Sequence, residues 1–371
     1  MGRRSTRAGQ DAAETAWEET IVLTHSLEQH LEDHAASGKP HAAAVAATLE
    51  AMAKAAIAIR SAVALGALGT AFSGTRGGAA GPGGDEPKDL DLHADAVLLD
   101  AVRSTPVAYY ASEEIEHPVV LNKSMPIALA VDPLDGSSNI DTNLSIGTIF
   151  SLLPVAAEPD PRGLTSFLQP GSRQLAAGFF IYGPQLALAV TLGAGTDIFV
   201  YSPRLDAFVR AYAGLTIPPS TQEFAINVSN YRHWDDGVRH YVDACQKGAT
   251  GPQGRDFNMR WVASMVADAY RILIRGGIYL YPGDARKGYG NGRLRLVYEA
   301  NPVAMLVEQA GGLATDLRHP ILERTPSSLH EKVPLVFGSR NEVMEVARYQ
   351  ADANLVGLRS PLFGSRGLFR N

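Results

Sequence analysis

The run Ile127-Ala128-Leu129-Ala130-Val131 is continuously apolar and stops on Asp132-Pro133-Leu134-Asp135-Gly136-Ser137-Ser138-Asn139-Ile140-Asp141. A short apolar run without polar alternation reads as a buried strand. A second such run, Ser145 to Leu153, follows at once. The stretch between them is therefore expected to be a loop, with room for one helical turn, where a core strand ends. Asp-Pro and Asp-Gly alone are ordinary turn dipeptides. The whole run at a strand end is more specific. Asp132 and Asp135 place two hard oxygen ligands three residues apart, and Pro133 stiffens the backbone between them. The Leu134 carbonyl can point at the same place. Gly136, Ser137 and Ser138 bring backbone N–H groups and hydroxyls, and glycine lets the chain come close to an anion. Oxygen ligands for a divalent cation beside donors for an oxyanion are what metal-assisted phosphate hydrolysis needs.

Further carboxylates are available to such a site. Val107-Ala108-Tyr109-Tyr110-Ala111 reads as a short strand that ends in Ser112-Glu113-Glu114. On a helix, adjacent glutamates would be surface residues; at the end of an apolar strand they favour a site. Phe72 to Gly84 is rich in glycine and runs into the acidic segment Asp85 to Asp91. It is either a mobile connector or a lid. Tyr298-Glu299-Ala300-Asn301-Pro302 opens a helix that Gly311-Gly312 ends. An acid there suits the helix dipole.

The rest of the chain supplies a frame. Its 371 residues allow two domains or one large one with an ample core. Glu19 to Ala36 and His41 to Leu68 read as helices separated by Ser37-Gly38-Lys39-Pro40, the second largely buried. Their histidines, His25, His30, His34 and His41, read as surface or capping residues. Leu92 to Ser104 is a third helix. Phe167 to Tyr182, Leu186 to Thr191, Asp197 to Tyr201 and Ala207 to Ala213 read as an antiparallel series with turns between. Pro218-Pro219 marks the boundary between a domain over 11–215 and one over 216–371. In the second half, Arg260 to Asp268 leads into a helix to Leu273, Gly276 to Pro282 is a strand, and Gly290 to Leu296 is a turn into a strand with alternating cations.

Composition excludes other classes. The net charge of −6 argues against nucleic acid as a partner. No apolar run approaches the roughly 18 residues of a membrane span. Met1-Gly2-Arg3-Arg4-Ser5 is basic, but Asp11, Glu14, Glu18 and Glu19 follow, which argues against a leader peptide. The single Cys245 admits no internal disulfide and suits a reducing cytoplasm, the expected location.

Asp132-Pro-Leu-Asp-Gly-Ser-Ser-Asn-Ile-Asp141 resembles the signature of class 1 fructose-1,6-bisphosphatases. Inositol monophosphatases carry a looser form, with Thr-Thr in place of Ser137-Ser138. The likeness runs from about Thr20 to about Gly338. It implies an α/β layered sandwich with two mixed β-sheets between helix layers. It implies hydrolysis of the 1-phosphate of fructose 1,6-bisphosphate with two or more Mg²⁺ per subunit, for which Mn²⁺ may substitute. Glu113, Asp132, the Leu134 carbonyl, Asp135 and Glu299 match the metal ligands. Gly84-Asp85-Glu86-Pro87-Lys88-Asp89-Leu90-Asp91 matches the family's Gly-Asp-x-x-Lys-x-Leu-Asp pattern. By that match Asp85 supports a loop-bound metal, and Asp91 and Glu114 orient or deprotonate the attacking water. Gly136, Ser137 and Ser138, with Asp135, cradle the phosphate that leaves. Asn227, Tyr231, Tyr281 and Arg293 match residues on the distal phosphate, and Met265 one along the sugar. Arg260 matches an arginine that reaches a neighbouring subunit's substrate, in a family whose norm is the homotetramer. Trp261 stands where many members have a phosphate-binding tyrosine. A sedoheptulose-1,7-bisphosphatase or a dual-specificity enzyme would share this chemistry. A catalytically silent, metal-binding regulatory relative is the non-enzymatic alternative, and the five retained oxygen ligands speak against it.

One regulatory feature of the family is not matched. AMP-sensitive members present a Gly-Thr-Gly-Glu turn between the first two helices; here the turn reads Ser37-Gly38-Lys39-Pro40-His41. Pro40 has no N–H to offer a phosphate. The family's Lys-Tyr pair and a further Arg align with Pro126, Ile127 and Pro154. Each charge-assisted hydrogen bond lost removes roughly 1.5–3 kcal/mol. A titration of AMP against activity at saturating Mg²⁺ should therefore show weak or no inhibition. Half-inhibition at low micromolar AMP would contradict this reading.

Overall fold

The computed structural model describes residues 25–65 and 89–351. The glycine-rich segment and Asp85 lie outside the described residues. The described chain forms helices α1 (Leu27–Ala35), α2 (Ala42–Val63), α3 (Asp89–Val102), α4 (Asp236–Gln246), α5 (Met265–Arg275), α6 (Asn301–Gln309) and α7 (Arg340–Ala351). The strands of a large sheet are β1 (Val107–Ser112), β2 (Val119–Val120), β3 (Ile127–Asp135), β4 (Ile146–Pro154), β5 (Ala176–Tyr182), β6 (Leu186–Thr191), β7 (Asp197–Ser202) and β8 (Ala207–Tyr212). They lie in the order β2-β1-β3-β4-β5-β6-β7-β8. The β1/β3 pair is parallel and the other pairs are antiparallel, so the sheet is mixed. A second mixed sheet contains β9 (Glu223–Ala225), β10 (Asn258–Met259), β11 (Ile278–Tyr281), β13 (Leu313–Thr315) and β15 (Leu335–Gly338), in the order β10-β9-β11-β15-β13. A short ribbon pairs β12 (Leu294–Arg295) with β14 (Lys332–Val333).

Alternation along the strands builds the layers. On one face of the large sheet Leu129, Val131, Phe150 and Phe180 pack against Leu49, Met52 and Ile59 of α2 and Leu98 of α3. On the other, Ile149, Phe179 and Ile181 meet Val266 of α5 and Val303 and Val307 of α6. Tyr279, Leu335 and Phe337 of the small sheet close the same core from beyond those helices. Ile278, Leu280 and Val336, one residue out of phase, face Val238 and Tyr241 of α4 and Val346 of α7. The result is helix, sheet, helix, sheet, helix, the α/β layered sandwich with two mixed sheets. By length and mean hydropathy (1.6) α2 has the measure of a membrane span, which the reading of apolar runs overlooked. Of that window 61% is buried inside the protein, against α1, α3 and β5.

Four local readings are corrected. β3 does not stop at Asp132 but continues through Asp135, with its register shifted between Asp132 and Asp135. Thr148 Oγ1 donates to the Pro133 carbonyl at 2.8 Å, which holds the strand across a residue without an N–H. Phe167 to Arg173 is not strand: it follows one short 3₁₀ turn, Leu164–Ser166, and ends in another, Gly171–Arg173, and β5 begins at Ala176. Gln169 Nε2 donates to the Pro154 and Ser166 carbonyls there, and Pro170 breaks any ladder. The strand after Arg293 is only two residues long. The helix expected after Arg260 starts only at Met265, because Ala263 sits at φ 64° and Ser264 is extended.

Candidate active site

Three elements deliver the acids. Where β1 ends, the Glu113 N–H donates to the Val131 carbonyl at 3.1 Å, which seats Glu113 beside β3. On β3, Asp132 Oδ1 accepts the Leu134 N–H at 3.1 Å. The third is a π-helical turn, Leu296–Ala300, ahead of α6. Its Glu299 Oε2 accepts the Arg295 N–H, and the Leu296 N–H donates to the Glu331 carbonyl at 2.8 Å. One carboxylate oxygen each from Glu113, Asp132 and Glu299 lies within 4.8 Å of the others.

These acids repel one another in a dry place. Asp132 and Glu299 are each 6% exposed. Burial pushes the Asp132 carboxyl well above the usual carboxylate range, and the charges of Glu113 and Glu299 push it further. Glu299 is raised by burial and then by Glu113 and Asp135. Glu113 is raised by burial, opposed by Arg295, whose Nε donates to Glu113 Oε1 at 3.2 Å. Glu114 is pushed up to about 7 by burial and by Asp91, Glu113 and Asp95. Asp91 is itself buried. Close, like-charged, oxygen-only ligands fit a hard divalent cation, whose charge would remove the repulsion that the protein alone leaves.

Asp135 stands at the edge of this cluster. Its Oδ2 accepts the Val266 N–H at 3.0 Å, in the first turn of α5. A carboxylate at a helix N-terminus satisfies donors that have no intrahelical partner. Burial raises Asp135 to about 6, against the lowering pull of the Val266 and Met265 N–H groups. Gly136 then turns at φ 77° into a 3₁₀ turn, Ser137–Thr142. A Cβ on Gly136 would meet Asn139 Nδ2 at 3.3 Å and the Ser264 side chain at 3.4 Å. Asn139 Nδ2 donates to the Ala263 carbonyl at 2.7 Å, so the turn is clasped to the loop before α5. Among the described residues Ser264 Oγ, buried there, has no hydrogen-bond partner. Ser137 is half-buried and Ser138 exposed.

On the small-sheet side, Asn227, Asn230, Tyr281 and Arg293 line a half-open cavity. Trp261 stacks on Tyr279, with centroids 5.6 Å apart, and lies 6.1 Å from Tyr281. Met265 is buried in the core between the sheets. Arg260 is exposed and lies 3.5 Å from Glu223, outside the cavity lining. The Tyr231 hydroxyl donates to Asp243 at 2.9 Å and its ring packs on Trp234, while Asn230 stands in the lining. The turn Val228–His233 runs at about three residues per turn, so the residue three beyond Asn227 shares its side. Arg295 was missed as well. Its alternation with Arg293 was visible, but residues two apart share a face only along a continuous strand; Arg293 precedes the two-residue β12 and lines the cavity, while Arg295, within β12, reaches Glu113.

The Fructose-1-6-bisphosphatase N-terminal domain model matches residues 22–213, and the C-terminal domain model matches residues 217–351. The chain is 59% identical over 345 residues to the class 1 fructose-1,6-bisphosphatase of Rhizobium meliloti, covering 93% of this chain and 99% of that protein. It is 52% identical to that of Azorhizobium caulinodans, covering 87% and 98%. The holo-form crystal structure of Leishmania major fructose-1,6-bisphosphatase superposes with a TM-score of 0.80 at 29% identity, covering 88% of this chain and 99% of that one.

The repulsion has a measurable sign. A carboxyl whose pKa is higher folded than unfolded costs stability as pH rises above its ordinary range, and the full cost is present above the folded value. Asp132 is raised in this way. In metal-free protein at pH 8, Asp132→Asn should therefore raise the melting temperature, by about 1–2 °C for each kcal/mol relieved. Added Mg²⁺ should raise the melting temperature of the unsubstituted protein and leave the variant nearly unmoved. Equal Mg²⁺ shifts in both would show that Asp132 does not face the cation.

Proposed function

The chain belongs to the fructose-1,6-bisphosphatase family, and from that premise we propose how its residues carry the reaction. It is a phosphoric monoester hydrolase that converts fructose 1,6-bisphosphate to fructose 6-phosphate and phosphate. The observation that carries the assignment of parts is the convergence of Glu113, Asp132 and Glu299 beside the Gly136 turn. Those three, with Asp135 and the Leu134 carbonyl, would hold Mg²⁺, or Mn²⁺ in its place. When bound, such ions polarise the phosphoryl oxygens, lower the pKa of the attacking water and offset charge on the leaving oxygen.

The chain's own groups do the rest. Glu114, raised to about 7, takes up or returns a proton near neutrality, and Asp91 adds to the field that raises it. Backbone N–H groups from Gly136 to Ser138, with the two serine hydroxyls, receive the leaving phosphate. Asn227, Tyr281 and Arg293 hold the distal phosphate, so that remote binding energy positions the scissile one. Arg293 offers a planar fork for that anion. Arg260, exposed in the single chain, reaches a neighbouring subunit's substrate in a homotetramer. We assign 11–215 to the metal-binding domain and 216–371 to the sugar-phosphate domain, and place the enzyme in the cytoplasm. The buried free thiol of Cys245 supports that location.

Two measurements test this reading. Phosphate release from fructose 1,6-bisphosphate should require Mg²⁺ or Mn²⁺ and vanish in excess EDTA; full activity with the chelator would end the metal assignment. Sedoheptulose 1,7-bisphosphate in the same assay separates single from dual specificity. Arg260→Ala should raise KM more than it lowers kcat, and light scattering should report an oligomer. A monomer with unimpaired activity would remove both the neighbour's arginine and the tetramer.

A further inference from the structure

The cavity on the small-sheet side holds a second guanidinium that the family resemblance did not assign. Arg286 lies between β11 and β12 and lines the same cavity as Asn227, Tyr281 and Arg293. Its position is built by its neighbours. Asp284 Oδ1 accepts the Arg286 backbone N–H at 3.0 Å, closing a turn. The same carboxylate accepts Nε at 3.0 Å through Oδ1 and 3.1 Å through Oδ2, and it accepts Nη2 as well. Asp284 is only 9% exposed, so this pairing is sheltered on the carboxylate side. The Tyr289 ring supports both cations, with Arg286 Cζ 4.5 Å and Arg293 Cζ 5.1 Å from its centroid.

This arrangement leaves part of the fork unused. Nε and Nη2 are spent on Asp284, and among the described residues Nη1 makes no hydrogen bond. An arginine tied along one edge presents its remaining donors in a fixed direction, at little further cost in side-chain entropy. Two guanidiniums gathered on one ring, with one carboxylate between them, leave a surplus of positive charge in the cavity. A phosphate dianion is the ligand that such a surplus recognises.

We propose that Arg286 binds the distal phosphate of the sugar bisphosphate through Nη1, beside Arg293, and that Asp284 and Tyr289 point it there. The proposal rests on the reading of the preceding section and adds a specificity-determining residue to it. The interaction is made by the end of the substrate that does not react. Its loss therefore falls on discrimination between a substrate that carries a distal phosphate and one that lacks it.

The test compares fructose 1,6-bisphosphate with fructose 1-phosphate, which has the scissile group alone. Arg286→Ala should raise KM for the bisphosphate about three- to tenfold, the range of a charge-assisted contact discounted for solvent screening. It should change kcat/KM for the monophosphate less than about twofold. Arg286→Lys, which keeps the charge and loses the fork, should recover part of the bisphosphate KM. Equal losses on both substrates would assign Arg286 to the structure of the turn and overturn the proposal, as would an unchanged bisphosphate KM. An unsubstituted enzyme that fails to hydrolyse the bisphosphate with Mg²⁺ would instead overturn the parent reading, and this proposal with it.

Discussion

Three carboxylates forced together out of water are the constraint on which this structure turns. Glu113, Asp132 and Glu299 share a space within 4.8 Å. The scale of the cost can be read from Asp135 at their edge. Its pKa rises from 3.8 to about 6, which is on the order of 3 kcal/mol at neutral pH. A whole domain is stable by roughly 5–15 kcal/mol. Such a cluster persists only if the backbone cannot yield. β1 and β3 lie inside the eight-stranded sheet, with neighbours on both sides, and every residue of each is buried. Glu299 comes from a π-helical turn anchored at both ends, by the Arg295 N–H on its own carboxylate and by the Glu331 carbonyl on Leu296. Among the described residues Arg295 is the cation paired with the cluster, Lys332 adding to its pull on Glu113, and at 6% exposure Arg295 must itself be paired, which ties it to Glu113.

The second sheet's elements are part of that frame. The N-terminus of α5 donates to Asp135, so a charge at the end of a first-sheet strand caps a helix that packs between the sheets. Gly147 allows the approach. A Cβ there would stand 2.8 Å from Val266 and 2.3 Å from the Phe180 carbonyl. Asn139 on Ala263 adds a second tie across the same seam. Ala263 sits in the left-handed region, at a cost of roughly 1–2 kcal/mol for a residue with a Cβ. The strain brings its carbonyl to Asn139 and Ser264 against Gly136.

Much of this was legible in the sequence because the acids fall at places where a pattern breaks. Asp132, Glu113 and Glu299 each interrupt an apolar run, and a carboxylate at the end of a buried strand has few bland explanations. The long buried α2 followed from its apolar spacing, whereas the two mixed sheets followed from the family signature, and the strand order was not read at all. What stayed hidden had physical reasons. The continuation of β3 past Pro133 depends on the Thr148 hydroxyl, which comes from a different strand. Asn230 and Tyr231 differ only in which side of a 3₁₀ turn they occupy, and one residue of spacing decides it. Arg295 and Arg286 carry no signal in the sequence that names their partners, Glu113 and Asp284, which only the fold brings to them.

The two ends of the proposed site carry opposite charge, and under that proposal the charge orders how a substrate with a phosphate at each end would bind. At the reacting end, among the described residues, Glu113, Glu114, Asp132, Asp135 and Glu299 outnumber the cations that oppose them, Arg295 and, at Glu113, Lys332. At the distal end Arg286 and Arg293 face Asp284. Two like charges 4 Å apart repel by about 4 kcal/mol at an effective dielectric near 20. A phosphate dianion meeting the acidic cluster on its own would face several such terms. It is therefore drawn first to the guanidiniums, which hold it while the far end is presented to the acids. The reacting end accepts its phosphate only when compensating positive charge is present there. Binding at the distal end and loading of the acidic end are thus separable steps, and the order is imposed by electrostatics rather than by shape.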